Sequence, residues 1–364
     1  MDPHHQFCHN PDCPARGQRG QGNITVHGRK TPRYRCTVCR RTFSARAGTP
    51  FFRRQVPEDE QTRILTLIAH GCPVDAAAVA FGYQPRTIRD WVQAAGVHCL
   101  GVQATLVEQP HALGQVQADE VRVRAQGTVF WMAMAIMVST RLWRGGVVSP
   151  QRDRRLVQRL LDLVARCALP GPLLVAVDGF AAYVGAIRRA LRTKQYSGRR
   201  GGPRKVPWPE VVIGQVVKQQ VRQRVVGVAH RLAQGTPAQL QALVAATQGH
   251  GGLNTAYIER LNGTFRSRLA SLARRSRRLG RAAGRLYTAM YLIGTVYNFC
   301  TLHASLTTGT GERRTPARAA GLTDHCWTLH ELLHYPLPLP RWQPPKQRGR
   351  KSKELRALIA RWAA

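Results

Sequence analysis

The chain has 364 residues, 43% of them hydrophobic, and carries 55 lysines and arginines against 19 acids, for a formal net charge of +36. Length and apolar content fit two or three folded domains rather than a disordered basic tail, and so large a positive excess points to a polyanionic partner, most commonly nucleic acid. The longest unbroken apolar run, the ten residues Val129–Val138, is too short to span a bilayer, and no apolar leader opens the sequence. No membrane partner is expected, and the reading is a cytoplasmic, nucleoid-associated protein.

The first feature along the chain is a set of cysteines. Cys8 and Cys13 lie four residues apart, and 22 residues later Cys36 and Cys39 form a C-x-x-C pair. Two short-spaced thiolate pairs are how a chain builds a tetrahedral Zn²⁺ site from two turns. I-T-V-H and R-Y-R-C between the pairs read as short strands, so residues 1–50 are expected to form a zinc ribbon. The C-x4-C half is loose, and His9 or His5 remains an alternative ligand. With all four positions filled the metal would be structural, supplying folding free energy to a unit with little core. The other five cysteines are scattered singly, as buried thiols in a reducing compartment would be.

Residues 57–98 follow with three helical patterns. E-D-E-Q-T-R-I-L-T-L-I-A-H-G has acids at its start and glycine at its end, with Ile64, Leu65, Leu67 and Ile68 as its apolar face. P-V-D-A-A-A-V-A-F-G and Y-Q-P-R-T-I-R-D-W-V-Q are joined by a turn at Gly82 and read as helix-turn-helix. Arg86, Thr87 and Arg89 would then face the DNA while Ile88, Trp91 and Val92 pack inward. An ordinary three-helix packing unit is the alternative.

From residue 112 to 305 the pattern becomes α/β. Residues 115–124 alternate as a strand that puts Asp119 and Glu120 on opposite faces, and 128–138 are apolar on both faces like a central strand. An amphipathic helix over 153–168 is followed by the buried strand L-L-V-A-V-D, ending at Asp178, and by a helix carrying Ile187 and Leu191. Residues 195–210 read as a basic loop, two further strands follow, and 236–248 read as a helix. Residues 254–285 are helix-like, with a buried stripe of Leu261, Phe265, Leu269 and Leu272, and 286–300 form a buried helix. Strands, crossover helix and strand make a mixed sheet flanked by helices. Residues 306–340 form a C-terminal extension and 341–364 a basic tail, in which P-P-K-Q-R-G-R-K-S-K is expected to be disordered and to bind DNA non-specifically.

Three acids stand out against this basic background. Between residues 211 and 311 Glu259 is the one carboxylate among thirteen lysines and arginines. Asp119 and Asp178 lie in or at the end of strand-like runs, where ligands of α/β sheets gather. A surface ion pair of Glu259 with Arg260 or Arg266, and capping of the next helix by Asp178, are the plainer alternatives. Together the three suit a metal-dependent phosphoryl-transfer site, because hard cations take carboxylate oxygens and two of them can flank a phosphodiester. Nine arginines after Glu259, with no acid among them up to residue 285, would repel one another unless phosphates lay beside them. Arg260, Arg266 and Arg268 are the first three.

On C-x-x-C-x-x-x-F at Cys36–Phe43, A-D-E at Ala118–Glu120, V-D-G at Val177–Gly179 and N-T-A-Y-I-E-R-L-N at Asn254–Asn262, the chain resembles the DDE transposases of bacterial insertion sequences. R-T-P-A-R-A-A-G-L-T-D-H adds support, and the resemblance runs from about Cys8 to Pro340. It implies an RNase H-like catalytic domain behind a zinc ribbon and helix-turn-helix, with Asp119, Asp178 and Glu259 as catalytic ligands of Mg²⁺ or Mn²⁺. It also implies strand cleavage at element ends and transfer to target DNA by the freed 3′-hydroxyl, with double-stranded DNA as partner and a homo-oligomer joining two ends. Glu120 in place of Asp119 would keep the mechanism and change the assignment. A DNA-binding regulator with an inactive nuclease-like domain is the competing reading, and a basic structural nucleic-acid protein a weaker one.

Overall fold

A computed structural model describes residues 2–28, 33–196, 202–221, 224–272, 282–345 and 349–362. The chain divides into two compact units, Met1–Glu58 with Leu333–Ala364, and Asp59–Leu332.

In the first unit β1 (Ile24–Gly28), β2 (Arg33–Cys36) and β3 (Thr42–Ser44) form an antiparallel three-stranded sheet. Its small core joins Cys8, Cys13, Cys36, Ile24 and Tyr34 to Trp362, which is 3% exposed. Trp362 ends a helix, Lys353–Trp362, that also packs Leu358 against this core, and the Trp362 carbonyl accepts a hydrogen bond from Gln18 Nε2 at 2.7 Å. The helix takes in Lys353, the last residue of the stretch expected to be disordered, and runs on beyond it. The apolar residues Leu355, Leu358 and Trp362 recur at helical spacing, which the surrounding basic charge obscures. Residues 346–348 lie outside the described residues.

The second unit begins with α1 (Glu58–Ala69), α2 (Val74–Phe81) and α3 (Pro85–Val102). Gly82 ends α2 in the left-handed conformation at φ 71°, where a glycine costs least. Ile64, Leu65, Ile88 and Trp91 are buried as expected, whereas Leu67 is 43% exposed. The second half of α3 packs within this unit. It lies against a later helix, α8 (Ala283–Cys300), closely enough that a Cβ on Gly96 would meet the Thr288 carbonyl oxygen at 2.4 Å.

The sheet that follows has six strands in the order β11-β10-β7-β4-β5-β6. β4 (Gly114–Ala125), β5 (Thr128–Met137) and β6 (Trp143–Ser149) form an antiparallel meander. The crossover helix α4 (Arg154–Arg166), capped by Asp153, leads to β7 (Leu173–Asp178), which pairs in parallel with β4. After α5 (Ala182–Ala190) the residues expected to be a basic loop carry a two-stranded ribbon of β8 (Arg192–Gln195) and β9 (Arg204–Pro207); residues 197–201 are outside the description. β10 (Val211–Val221) joins β7 in parallel, and β11 (Arg224–Gln234) forms a hairpin with it.

Alternation sorts the helices onto two faces. Val116, Ala118, Val175, Val177 and Ile213 point to α4 and α5, in a core with Leu160, Val164, Tyr183 and Ile187. Leu174, Ala176, Val212 and Val216 point to the other face, against Val244 of α6 (Pro237–Gln248) and Leu253. α7 (Ala256–Arg268) follows and buries Ile258, Leu261 and Phe265. A 3₁₀ turn at Ala270–Leu272 succeeds it, and residues 273–281, with five of the nine arginines expected on one long helix, lie outside the described residues. Asn298 of α8 is buried because its side chain satisfies the Trp143 amide and carbonyl, each at 2.9 Å.

Candidate active site

The parallel pairing of β4 with β7 sets two acids side by side. Ala118 lies opposite Val177 as the last paired position, so Asp119 and Asp178 come next on their strands. Asp119, Glu120 and Asp178 each bring a carboxylate oxygen to a cluster in which these atoms lie within 4.8 Å of one another. Asp178 does not cap α5, whose N-cap is Ala181; its Oδ1 instead accepts the Phe180 amide at 2.9 Å.

Glu259 arrives from α7, and the sheet fixes that helix. Thr255, the N-cap, makes no side-chain cap bond. Its role passes to Gln117, fully buried on β4, whose Oε1 accepts both the Tyr257 and Ile258 amides at 3.0 Å while Nε2 donates to the Asn254 carbonyl at 2.8 Å. Orphan amides at a helix start are thereby satisfied from the strand that carries Asp119, two residues on. One turn further along α7, Asn262 donates to Asp119 Oδ2 at 2.7 Å, fixing the carboxylate whose other oxygen accepts the Glu120 amide at 2.8 Å.

Two basic side chains occupy the acids. Arg152, in the turn before α4, places Nη2 3.2 Å from both Glu120 Oε2 and Asp178 Oδ2, and its guanidinium lies over the rings of Phe180 (4.4 Å) and Trp131 (5.3 Å). Lys218 of β10 meets Glu259 Oε1 at 2.5 Å, and Thr255 donates to the same oxygen at 2.7 Å. The expected surface pairs of Glu259 with Arg260 or Arg266 are thus replaced by a pair with Lys218.

Burial raises the carboxyl of Asp119 to about 6, with the charges of Asp178 and Glu259 adding to it, and raises Glu120 to about 7, with Asp178 and Asp119 adding. Burial opposes ionisation of Glu259 too, yet the bonds from Lys218 and Thr255 outweigh it and hold it below its ordinary range. Tyr183, fully buried beside Glu120, is pushed well above the usual phenol range by burial and by the acids around it.

Access separates the four acids. The Glu120 side chain has 0% exposure and lies on the α4–α5 side of the sheet, whereas those of Asp178 and Glu259 are 37% and 45% exposed. Asp119 faces α7, as its bond to Asn262 requires. Asp178 and Glu259 are thus open to a large partner, whereas Glu120 is not. Glu259 itself lies outside the tight cluster and reaches Asp119 through its field. Carboxylate oxygens facing one another are hard donors that fit a divalent cation such as Mg²⁺ or Mn²⁺.

The other expected ligands also converge. Cys8, Cys13, Cys36 and Cys39 bring their sulfurs within 4.8 Å of one another, with Cys8 3.6 Å from Cys39 and Cys13 3.8 Å from Cys36. Neither His9 nor His5 joins them: His9 packs between Phe7 and Phe43, and His5 pairs with Asp2. Burial raises the thiol of Cys8 and takes Cys13 to about 12; at Cys39 burial is outweighed by the Arg41 amide and neighbouring donors, which bring it down to about 7. The soft, tetrahedral-sized donor set fits a metal such as zinc.

Of the residues expected on DNA, Arg86 is exposed and Thr87 half-buried at the start of α3, while Arg89 pairs with Asp75 at 3.0 Å. Arg260 is exposed, Arg266 half-buried, and Arg268 is turned toward Thr301 at 3.4 Å. Gln117, Arg152, Lys218 and Asn262 had no role in the sequence reading. Asn262 was visible only as the last residue of the Asn254–Asn262 motif, and Gln117 only as one of several polar residues in β4. No protein-family model matches the chain, and comparison with curated proteins gives no match either.

Proposed function

We propose that the protein is a transposase of the DDE type, binding the ends of its element and catalysing metal-dependent cleavage and joining of DNA strands in an RNase H-like domain. The observation that carries this reading is the placing of Asp119 and Asp178 side by side at the end of the β4–β7 pairing, with α7 pinned to β4 so that Glu259 overlooks both. The mixed sheet is the kind of core the resemblance implies.

Asp119, Asp178 and Glu259 would hold the divalent cations, and Mg²⁺ there supplies a lowered pKa for the attacking oxygen and compensation of charge on the leaving one. The chain's own residues do the rest. Gln117 sets the position of α7, and Asn262 orients Asp119. Glu120 keeps Arg152 at the edge of the site, and Lys218 neutralises Glu259. The four cysteines would hold a structural zinc, and the exposed start of α3 would meet DNA.

The test is incubation of the protein with a duplex carrying the terminal sequence of its own element and with Mg²⁺. Nicks at the element end and joined products, absent with Asp119→Asn and without Mg²⁺, are expected. Tight binding of the duplex by the parent with no strand broken in Mg²⁺ or Mn²⁺ would instead favour a DNA-binding regulator.

A further inference from the structure

Beside the acid site lies a second polar cavity, of about 210 Å³, that the reading above leaves unused. It is bounded by the β5–β6 turn, by α7 and α8, and by the segment after α8, and Arg141, Tyr257, Arg260, Thr264, Tyr297 and His303 line it. No carboxylate is among its lining residues, and among the described residues neither Arg141 nor Arg260 is paired with one. Ile136, also at its wall, pairs across the sheet with Gln117, two positions from the Asp119–Met134 pair, so one wall of the cavity lies close along the sheet to Asp119.

Several features there set the cavity apart, and an anion would offset the electrostatic ones. Arg141 has a positive φ of 60°, unusual for a side chain of that size, and stacks over the Tyr257 ring at 4.0 Å. Burial and the neighbouring Arg260 both disfavour its charge. His303 keeps its Nε2 buried with no hydrogen-bond partner, and burial with the nearby arginines lowers its pKa to about 4, so it stands neutral. Thr264 Oγ1 already donates to the Arg260 carbonyl at 3.2 Å and Arg141 Nη1 to the Val138 carbonyl, but the rest of the Arg141 guanidinium, Arg260, the neutral imidazole and the Tyr297 hydroxyl share one small space with no acceptor of matching charge.

We propose that Arg141, Arg260, His303 and Tyr297 form a pocket for a single phosphate group, and that in the working protein this phosphate belongs to the DNA strand held at the acid site. The proposal deepens the transposase reading in naming the strand, and the site itself stands on its own chemistry. Cavity size admits a phosphate group and excludes a duplex, so the contact positions one backbone phosphate and reads no sequence.

Two variants test it. Arg141→Gly removes the guanidinium at a backbone angle that glycine adopts freely, and Thr264→Glu sets a negative charge in the pocket. Both are checked for the parent's circular dichroism. Binding to a duplex is followed against salt without divalent ions, so cleavage does not enter. Melting is also followed in phosphate against chloride at equal ionic strength. The parent is expected to be stabilised by phosphate, both variants are expected to lose that stabilisation, and each should lower the log K versus log salt slope by about 1. If both variants keep the parent's slope and its phosphate response, the pocket is not an anion site. Loss of the phosphate response with an unchanged slope would overturn the DNA contact and leave a free-phosphate site. Neither outcome depends on whether Glu259→Gln cuts DNA, so failure of the pocket and failure of the transposase reading remain distinct.

Discussion

The cysteine cluster and the acid cluster gather ligands in opposite ways. Four sulfurs of the first unit close on one another inside a small core. The carboxylates are partly open, and Arg152 and Lys218 already sit on three of them. A closed set of four soft ligands suits an ion that stays and holds the fold. An open set of hard ligands with basic neighbours suits cations that come and go with substrate, because each neighbour is a counter-charge that can turn to phosphate. The comparison teaches that ligand grouping alone does not tell the two uses apart, whereas access and counter-charge do.

The largest effect should fall on the ribbon. Cys36→Ser, or stripping of zinc, should remove on the order of 10 kcal/mol of metal-linked folding free energy. Hydrogen exchange should then show β1–β3 unprotected while β4, β7 and β10 stay protected. Persistence of ribbon protection after the metal is gone would break the contrast.

Gln117→Leu comes next. It strands the Tyr257 and Ile258 amides in a buried place and should cost about 2–3 kcal/mol in denaturant unfolding. Gln117→Glu keeps the acceptor and should cost less; equal losses would show that the amides are satisfied elsewhere.

The pH response of the acid site is of similar or smaller size. Asp119 and Glu120 are raised in the folded protein, to about 6 and about 7, so the folded state holds protons that the unfolded chain has already released. Their contribution to stability is full below the ordinary carboxylate range and is lost as pH rises through 6 to 7. Metal-free protein should therefore melt progressively lower from pH 5 to pH 8. Mg²⁺ should restore the melting temperature at pH 8 and do little at pH 5, and the double variant Asp119→Asn, Glu120→Gln should flatten both trends.

Arg152→Gln should raise the apparent affinity for Mn²⁺ by about tenfold, or about 1.4 kcal/mol, in the absence of DNA, by removing a competing cation. Calorimetry checks this, and a fall in affinity would mean that Arg152 builds the site rather than guards it. The smallest effect is expected for Arg89→Gln, whose ion pair with Asp75 is exposed: about 0.5 kcal/mol or less of stability.

Much of the sheet was legible because its strands are long and their alternation clean. The 115–124 and 128–138 patterns correspond to β4 and β5, and the run ending at Asp178 to β7. Helix ends were legible where glycine or an acid marked them, as at Gly82 and Asp153. The partners of the acids were not, because they come from far along the chain: Lys218 is 41 residues from Glu259, and Asn262 is 143 from Asp119. Charge counting favoured local arginines for Glu259, while the geometry of α7 turned it toward β10. The terminal helix was hidden for a related reason, since a run of lysines and arginines masks Leu358 and Trp362, which dock it.

The most direct measurement is cleavage of the element-end duplex in Mg²⁺ by the parent, Glu259→Gln and Glu120→Gln, compared at equal occupancy of the DNA. The account predicts that Glu259→Gln binds and does not cut, because its carboxylate faces the substrate side, while Glu120→Gln retains cleavage at a reduced rate. Equal cutting by Glu259→Gln and the parent, or loss of cutting confined to Glu120→Gln, would contradict it and move the site to the Asp119, Glu120 and Asp178 cluster.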